Sequence, residues 1–410
     1  MSFDFTVDRN SPKWVLGADG YLKEYIADAP AIEFNADGSY KGVLVEPQST
    51  NDCLQSEDFS TTWFQNNSPT ITTNIATAPD GTVTAVGLQD TTGTTFKSVS
   101  QIFSVSANSQ ITASLFVKKE TAETNYGGIG FSFSGSTPKT AYFIFNSVNG
   151  TANISKTLTS ASVVVEDYGD YWRFCCTATD DGSNTFLTFN IYATLSNNGT
   201  TIGVGAGSVR TYWGAQVEES PIATSYIPTT TGAVTRLKDD IYLTSASSLI
   251  GQTEGTLFVE VDWNEIAGGS QYVFQLTDGT TDNRIHLHKF NTPSDLLYFF
   301  IESGNVAQMS QGVSSTSFTG IQKIAFAYKQ NDCKGYINGS EVVSDTSVDL
   351  SSLSLTELYF GQNLSALVQG NMWIRAVALF TTRLSDAEAY SLTGYDTYAQ
   401  MANALQYTIL

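Results

Sequence analysis

Three acidic residues, Glu260, Asp262 and Glu265, lie in the run FVEVDWNE that begins at Phe258. Two carboxylates held about 5–5.5 Å apart can serve as nucleophile and acid/base in a retaining glycoside hydrolase. On a strand, alternate side chains share a face, so Glu260 and Asp262 point the same way. Glu265 falls on the opposite face unless a β-bulge intervenes. The chain holds the residue types for glycosidic chemistry, but the spacing leaves the third carboxylate out of place. A short acidic pattern also arises easily by chance in an acidic protein.

The only two histidines, His286 and His288, are two apart on an expected strand and therefore share a face. No Cys or carboxylate at a metal-ligand spacing accompanies them, so they read as half-buried or ligand-contacting imidazoles, not zinc ligands. Tyr168 and Tyr171 flank a turn at Gly169-Asp170 and are expected at the surface. Tyr298, Phe299 and Phe300 must point to both faces of one strand, so at least one leaves the core. Exposed aromatic rings stack on sugars; Tyr168, Tyr171, His286, His288 and Tyr298 are therefore the expected glycan-binding residues. Trp172 and Trp213 are expected in the core.

Asp239-Asp240, Asp278 with Asp282, and Asp180-Asp181 are the acid pairs that could hold Ca²⁺ through oxygen ligands. None has the spacing of an EF-hand loop. There is no phosphate-binding GxxxxGK[ST] run and no usable Ser-His-Asp order. The glycines of GVGAG at 203–207 precede a strand and no helix, which makes a turn.

The elements that position these residues are strands. The chain has 410 residues, too many for one hydrophobic core. Charged residues make up 15% and aromatics 12%, with abundant Ser, Thr, Asn and Gly, which favours short strands and polar turns over helices. Forty acidic against 20 basic residues give a formal charge of −20. That balance lacks the basic footprint of a nucleic-acid reader and opposes anionic membrane surfaces. Cys53, Cys175, Cys176 and Cys333 form no CxxC pair, so all four are expected as free thiols in a reducing compartment. The segment MSFDFTVDRN has neither a basic nor an apolar leader region, and no run approaches the roughly 20 apolar residues of a membrane helix.

Residues 1–50 carry turn signals at Ala18-Asp19-Gly20 and Ala36-Asp37-Gly38, each followed by a short apolar run. They are expected as a β arm: an extra layer on the next domain, or an attachment device. Residues 51–228 show strand after strand, with clear alternation at Ile111, Ala113, Leu115 and Val117, and predict a two-sheet sandwich. Residues 229–410 repeat the texture. A helix is predicted over Ser385–Thr393, with Ser385 as N-cap and Gly394 as terminator, and a second over Tyr398–Leu405. Tyr212–Arg236 joins the halves. Its first part is the closing strand; Pro221 and Pro228 keep the rest extended. Tyr226, Ile227 and Pro228 are expected at the inter-domain junction.

Several segments resemble known families. ITASLFVKKE, VEDYGDYWRFCCTAT and WGAQVEESPIATSYIPTTTGAVTR are similar to the carbohydrate-binding-module-like jelly rolls of bacteriophage virion proteins. RNSPKWVLGADGYLKEYIADAPAIEFN resembles the leader of the same proteins, with Asn10 and Ser11 where Ala-Ser is usual. KIAFAYKQNDCKGYINGSEV and GNMWIRAVALFTTRLSDAEAYSLT resemble a concanavalin-A-like (laminin-G-like) lectin domain. Glu260-x-Asp262-x-x-Glu265 matches laminarinase-type hydrolases of that fold, although there the motif lies deeper in the domain.

The resemblance implies an all-β chain of two consecutive jelly-roll β-sandwiches, with a short N-terminal β arm and a short C-terminal helical segment. It implies a non-enzymatic virion protein, a tail fibre or adhesin contacting host glycans, assembled in the host cytoplasm and exposed on the particle. Its partners would be other virion proteins, host glycans and copies of itself in a homotrimer. No nucleic-acid binding or membrane insertion is expected. Ca²⁺ is the one cofactor many lectin-like domains use. The alternatives are a head-fibre or capsid decoration protein, and a glycan depolymerase using Glu260, Asp262 and Glu265.

Overall fold

In a computed structural model, residues 5–122, 126–197, 202–205, 207, 209–263, 270–290, 296–314, 320–365, 370–395 and 400 are described. Among the described residues the chain is all-β, as the sequence pattern predicts, with a short helix near its end.

The first sandwich packs two antiparallel sheets. One runs Thr151–Lys156, Lys139–Asn146, Tyr126–Gly135, Asn184–Asn197, Ser98–Ser104 and Phe64–Asn66, with Ile202–Val204 beside Asn184–Asn197. The other runs Ala161–Tyr168, Tyr171–Thr179, Gln110–Lys118, Arg210–Glu218, Ala85–Gln89 and Thr70–Ala76. Ile111, Ala113, Leu115 and Val117 enter the core with Phe131, Phe143 and Phe189. Phe116, on the other face, is also buried, because a second layer covers it.

That layer comes from the leader and the junction. The leader hairpin Lys13–Leu16 and Leu22–Tyr25 lays Leu16 and Leu22 against Phe116, Trp213 and Tyr226. The Arg210–Glu218 strand is therefore buried along its whole length. Gly214 sits there at φ +63°, where the register slips between Ser114 and Phe116. A side chain at Gly214 would come within 2.9 Å of Phe116 and 3.2 Å of Tyr226, so only glycine fits both the backbone and the space.

The second sandwich has two seven-stranded sheets, and the leader supplies strands to both. Thr6–Asp8 pairs with Asp240–Leu243, at the edge of the sheet that continues through Glu357–Phe360, Ser270–Thr277, Arg284–Phe290, Leu296–Ser303 and Val306–Ser314. Tyr40–Val45 pairs with Met372–Phe380 and carries Ile32–Phe34 at the opposite sheet's edge. Val7 and Val45 enter the core with Leu257, Phe274 and Phe326. The leader is thus neither a layer on its sequence neighbour alone nor a free arm; it is built into both sandwiches.

A two-stranded stem, Ser49–Asn51 against Val234–Arg236, closes the base of the first sandwich. The whole first sandwich is threaded between strands of the second. Around the stem lies a buried charge cluster. Arg9 meets Asp239 at 2.9 Å, and Lys13 meets Asp239 at 2.7 Å and Glu46 at 3.0 Å. Arg236 closes the group at 3.6 Å from Glu46.

The helix spans Asp386–Gly394 and opens on a full capping box between Ser385 and Glu388. Ala389 and Leu392 pack on Phe258, Ala325 and Tyr336. The second helix expected over Tyr398–Leu405 lies, Gln400 apart, outside the described residues.

Candidate functional site

The chemistry-bearing side chains that converge are on the outer face of the Arg284–Phe290 sheet. In Arg284–Phe290, Ile285 and Leu287 go to the core, so His286 and His288 go out. In Leu296–Ser303, Leu297, Phe299 and Ile301 go in and leave Tyr298 and Phe300 outside. In Ser270–Thr277 a bulge between Tyr272 and Phe274 turns both Val273 and Phe274 inward, which leaves Tyr272 outside, opposite His288.

Cross-strand register then lines these residues up in two rows. One row is Tyr272, His288, Tyr298 and Gly312; the other is Gln275, His286, Phe300 and Ser310. His288 stacks on Tyr298 with ring centres 5.2 Å apart and planes 10° apart. His286 stacks on Phe300 at 4.5 Å and 12°. Tyr272 bridges the rows, 5.0 Å from His286 and 5.2 Å from His288. A Cβ at Gly312 would stand 3.1 Å from the Tyr298 ring, so the glycine lets that ring lie down over its neighbour strand.

Burial holds both imidazoles neutral: His286 is pushed well below its usual value, and His288 down to about 4. Arg284 adds to both shifts, and the neighbouring His288 adds to that of His286. Neutral imidazoles stack without mutual repulsion and keep one nitrogen as an acceptor. Nδ1 of His286, Nδ1 of His288 and Nε2 of Gln275 have no hydrogen-bond partner among the described residues. At the edge, Arg284 is tied to Glu302 at 2.7 Å. The face therefore presents the part-exposed rings of Tyr272, His288, Tyr298 and Phe300, with these three nitrogens buried beneath them.

Of the expected glycan residues, His286, His288 and Tyr298 come together here. Tyr168 and Tyr171 do not. The turn between them forms, but both side chains are buried under the leader, Tyr168 edge-on to Phe116 and Tyr171 donating its hydroxyl to Thr77 O. Surface placement had followed from the turn alone, and the leader that covers it is distant in sequence. Tyr272, Gln275 and Phe300 are members that pattern reading missed. The bulge hides Tyr272, because simple alternation from Phe274 misplaces its neighbours.

Glu260 and Asp262 of the FVEVDWNE run are on the outer face of the other sheet. Glu260 accepts from Arg375 Nε at 2.7 Å. Arg375 is the extra residue where the Met372–Phe380 strand slips against Glu260 and Val261. Asp262 is half-buried, and burial raises its pKa against the opposing pull of Lys41 and Arg375. Glu265 lies outside the described residues. Close by, Trp373 Nε1 donates to the buried Glu33 at 2.7 Å, while Lys41 stands 3.8 Å over the Trp373 ring.

The acid pairs considered for Ca²⁺ have other partners. Asp239 belongs to the buried charge cluster, and Asp240 pairs with Lys238 at 3.0 Å. Asp278 closes its own turn through Thr280 and Asn283, and Asp282 is exposed. Asp180 binds Asn184, and Asp181 binds Thr159. No group of three or more potential ligands occurs among the described residues. At the junction, Tyr226 is buried among Phe116, Trp213 and the leader hairpin, and the Ile227 carbonyl accepts from Asn51; Pro228 is half-buried.

No family model matches the chain, and no curated protein sequence matches it. Among solved structures it is similar to the carbohydrate-binding module (CBM40) of the Ruminococcus gnavus IT-sialidase: 15% identity over 36% of this chain and 86% of that one, TM-score 0.31. It is also similar to domains LG4-5 of the mouse laminin alpha1 chain, with 8% identity over 68% and 85%, TM-score 0.28. Trypanosoma rangeli sialidase matches over 100% of both chains at 10% identity, TM-score 0.32. These neighbours include a carbohydrate-binding module and laminin LG domains, the kinds of domain named in the resemblance, and do not show a phage origin. The full-chain matches are sialidases, and on that finding the expectation of a non-enzymatic virion structural protein is corrected and set aside. At these TM-scores none of them assigns a role to any residue.

Proposed function

We propose that the chain binds glycans, with the C-terminal sandwich receiving sugar rings on the Tyr272–His288–Tyr298 face. The observation that carries this reading is the part-exposed array of stacked rings, with His288 on Tyr298 and Tyr272 beside them. Sugar rings present C–H groups to aromatic faces and hydroxyls to polar neighbours, and a site of this kind needs both. Neutral imidazoles can accept from hydroxyls without needing an anionic ligand. The test is a glycan array carrying neutral and sialylated oligosaccharides, followed by calorimetry on the best hit. Loss of binding in Tyr298→Ala and retention in Tyr298→Phe supports the reading; an array without signal, or hits indifferent to Tyr298, removes it.

A second reading is glycoside hydrolysis at Glu260 and Asp262. It is favoured by one contrast: Glu260 is ion-paired to Arg375, while burial raises the pKa of Asp262 against the pull of Lys41 and Arg375. Release of reducing ends from polysaccharide, abolished in both Glu260→Gln and Asp262→Asn, supports it. Release that survives in either variant rejects it.

A further inference from the structure

We propose a second ligand site, for an uncharged sugar or comparable polyol, in the cleft where the junction segment meets the edge of the first sandwich. The cleft has a volume of about 440 Å³, within the range of small-molecule sites. Gln55, Glu57, Asn74, Thr84, Thr229 and Thr230 supply its polar groups, and Val86 and Pro228 its apolar ones. Three separate stretches build it: the loop after Cys53, the Thr70–Ala76 and Ala85–Gln89 strand pair, and the start of the linker.

The composition of the lining selects the ligand. Amides and hydroxyls both donate and accept, which suits a molecule whose hydroxyls do the same. Among the described residues no Lys, Arg or His lines the cleft, whereas Glu57 and Asp58 do, so an anionic ligand is disfavoured. The Asp58 carboxylate is occupied by Ser60 and Thr61. Glu57 accepts from Tyr226 Oη at 3.0 Å, and its own burial raises its pKa.

The backbone gives an independent sign. Gln55 has φ +50° and Asn74 φ +57°, two non-glycine residues in the left-handed region, and both line this one cleft. Asn74 stands where the register slips between Thr72 and Ala76. A glutamine in that region costs energy that glycine would not, and such strain gathers where a side chain has work to do. Gln55 is held at the cleft against local preference, whereas asparagine enters this region readily. Two indoles also touch its lining: Trp63 Nε1 donates to Gln55 O at 3.2 Å, and Trp213 Nε1 to Thr84 Oγ1 at 3.0 Å.

These indoles are built-in reporters. The full chain, ¹⁵N-labelled at tryptophan, is titrated with lactose, maltose and cellobiose, and in parallel with 3′-sialyllactose. The expected result is a saturable shift of the Trp63 and Trp213 indole signals with at least one neutral disaccharide, and at least tenfold weaker binding of the sialylated one. Gln55→Gly and Asn74→Gly remove the amides while relieving the backbone, so each should weaken binding at least fivefold and leave the melting temperature unchanged or higher. Tyr298→Ala should leave these shifts intact, which separates this cleft from the C-terminal face. No indole shift with any neutral disaccharide, equal binding of the sialylated one, or full binding in both glycine variants overturns the proposal.

Discussion

Lys13 and Asp239, 226 residues apart in the chain, meet at 2.7 Å with the lysine side chain wholly buried and the aspartate 2% exposed. Asp239 also takes Arg9 and the Glu46 backbone N–H, so one carboxylate fastens the leader, the stem and the second sandwich together.

Asp239→Asn keeps the shape of the side chain and removes its charge, leaving Arg9, Lys13 and Arg236 buried against Glu46 alone. Breaking a buried pair in this way costs about 3–5 kcal/mol. Equilibrium urea unfolding should show it. Lys238→Ala, in a part-exposed pair with Asp240, should cost no more than about 1 kcal/mol in the same assay.

The same cluster sets a pH dependence. Lys13 and Arg236 outweigh the burial penalty on Glu46 and hold its carboxyl down at about 2, against an ordinary 4.5. The folded state thus binds fewer protons there than the unfolded chain, so this contribution is complete above pH 4.5 and is lost as pH falls toward 2. Glu46→Gln should flatten the decline in melting temperature across that window. An unchanged slope would count against the ion-paired carboxylate.

His288 is held down to about 4 and His286 well below its usual 6.5, so the stacked face stays uncharged. Glycan binding at this face should be constant from pH 8 to 5 and weaken only as pH approaches 4. Long-range ¹H–¹⁵N spectra read each imidazole directly. Protonation of His288 near pH 6.5 would contradict the burial seen here.

Tyr298→Ala should weaken glycan binding about tenfold, roughly 1.4 kcal/mol, by removing the ring on which His288 lies. Tyr298→Phe keeps the ring and should lose less than about threefold. Calorimetry on the two variants separates stacking from hydroxyl contacts.

Gly214→Ala should destabilise the first sandwich by about 1–3 kcal/mol. The left-handed backbone disfavours a side chain, and the added methyl meets Phe116 and Tyr226 in a packed interior. Thermal unfolding measures it, and Gly232→Ala, where nothing stands within 4 Å, is the matched control.

Much of the fold could be read from local pattern. Alternation at Ile111–Val117 marked its strand correctly, a strand formed where one was expected at Arg284–Lys289, and Ser385 capped its helix as its neighbours indicated. The same alternation put His286 and His288 on one face, while Tyr298 joins them only through the cross-strand register. It failed where the cause is distant or irregular. Tyr168 and Tyr171 are covered by a hairpin more than a hundred residues upstream, which no local period encodes. Tyr272 is turned out by a bulge, which breaks the period that would reveal it. Asp239 looked like a cation ligand because its two basic partners come from the leader.

The stem at Ser49–Asn51 and Val234–Arg236 has a consequence for how the molecule comes into being. During synthesis, Thr6–Asp8 and Tyr40–Val45 emerge long before Asp240–Leu243 and Met372–Phe380, the strands they pair with. The first sandwich, continuous in sequence, can finish while those early strands still lack their sheets. The second must close a loop of more than three hundred residues to seat Leu44 beside Trp373. Until then two sheet edges stay bare, so a nascent or truncated chain is most exposed to misassembly in the lectin-like half.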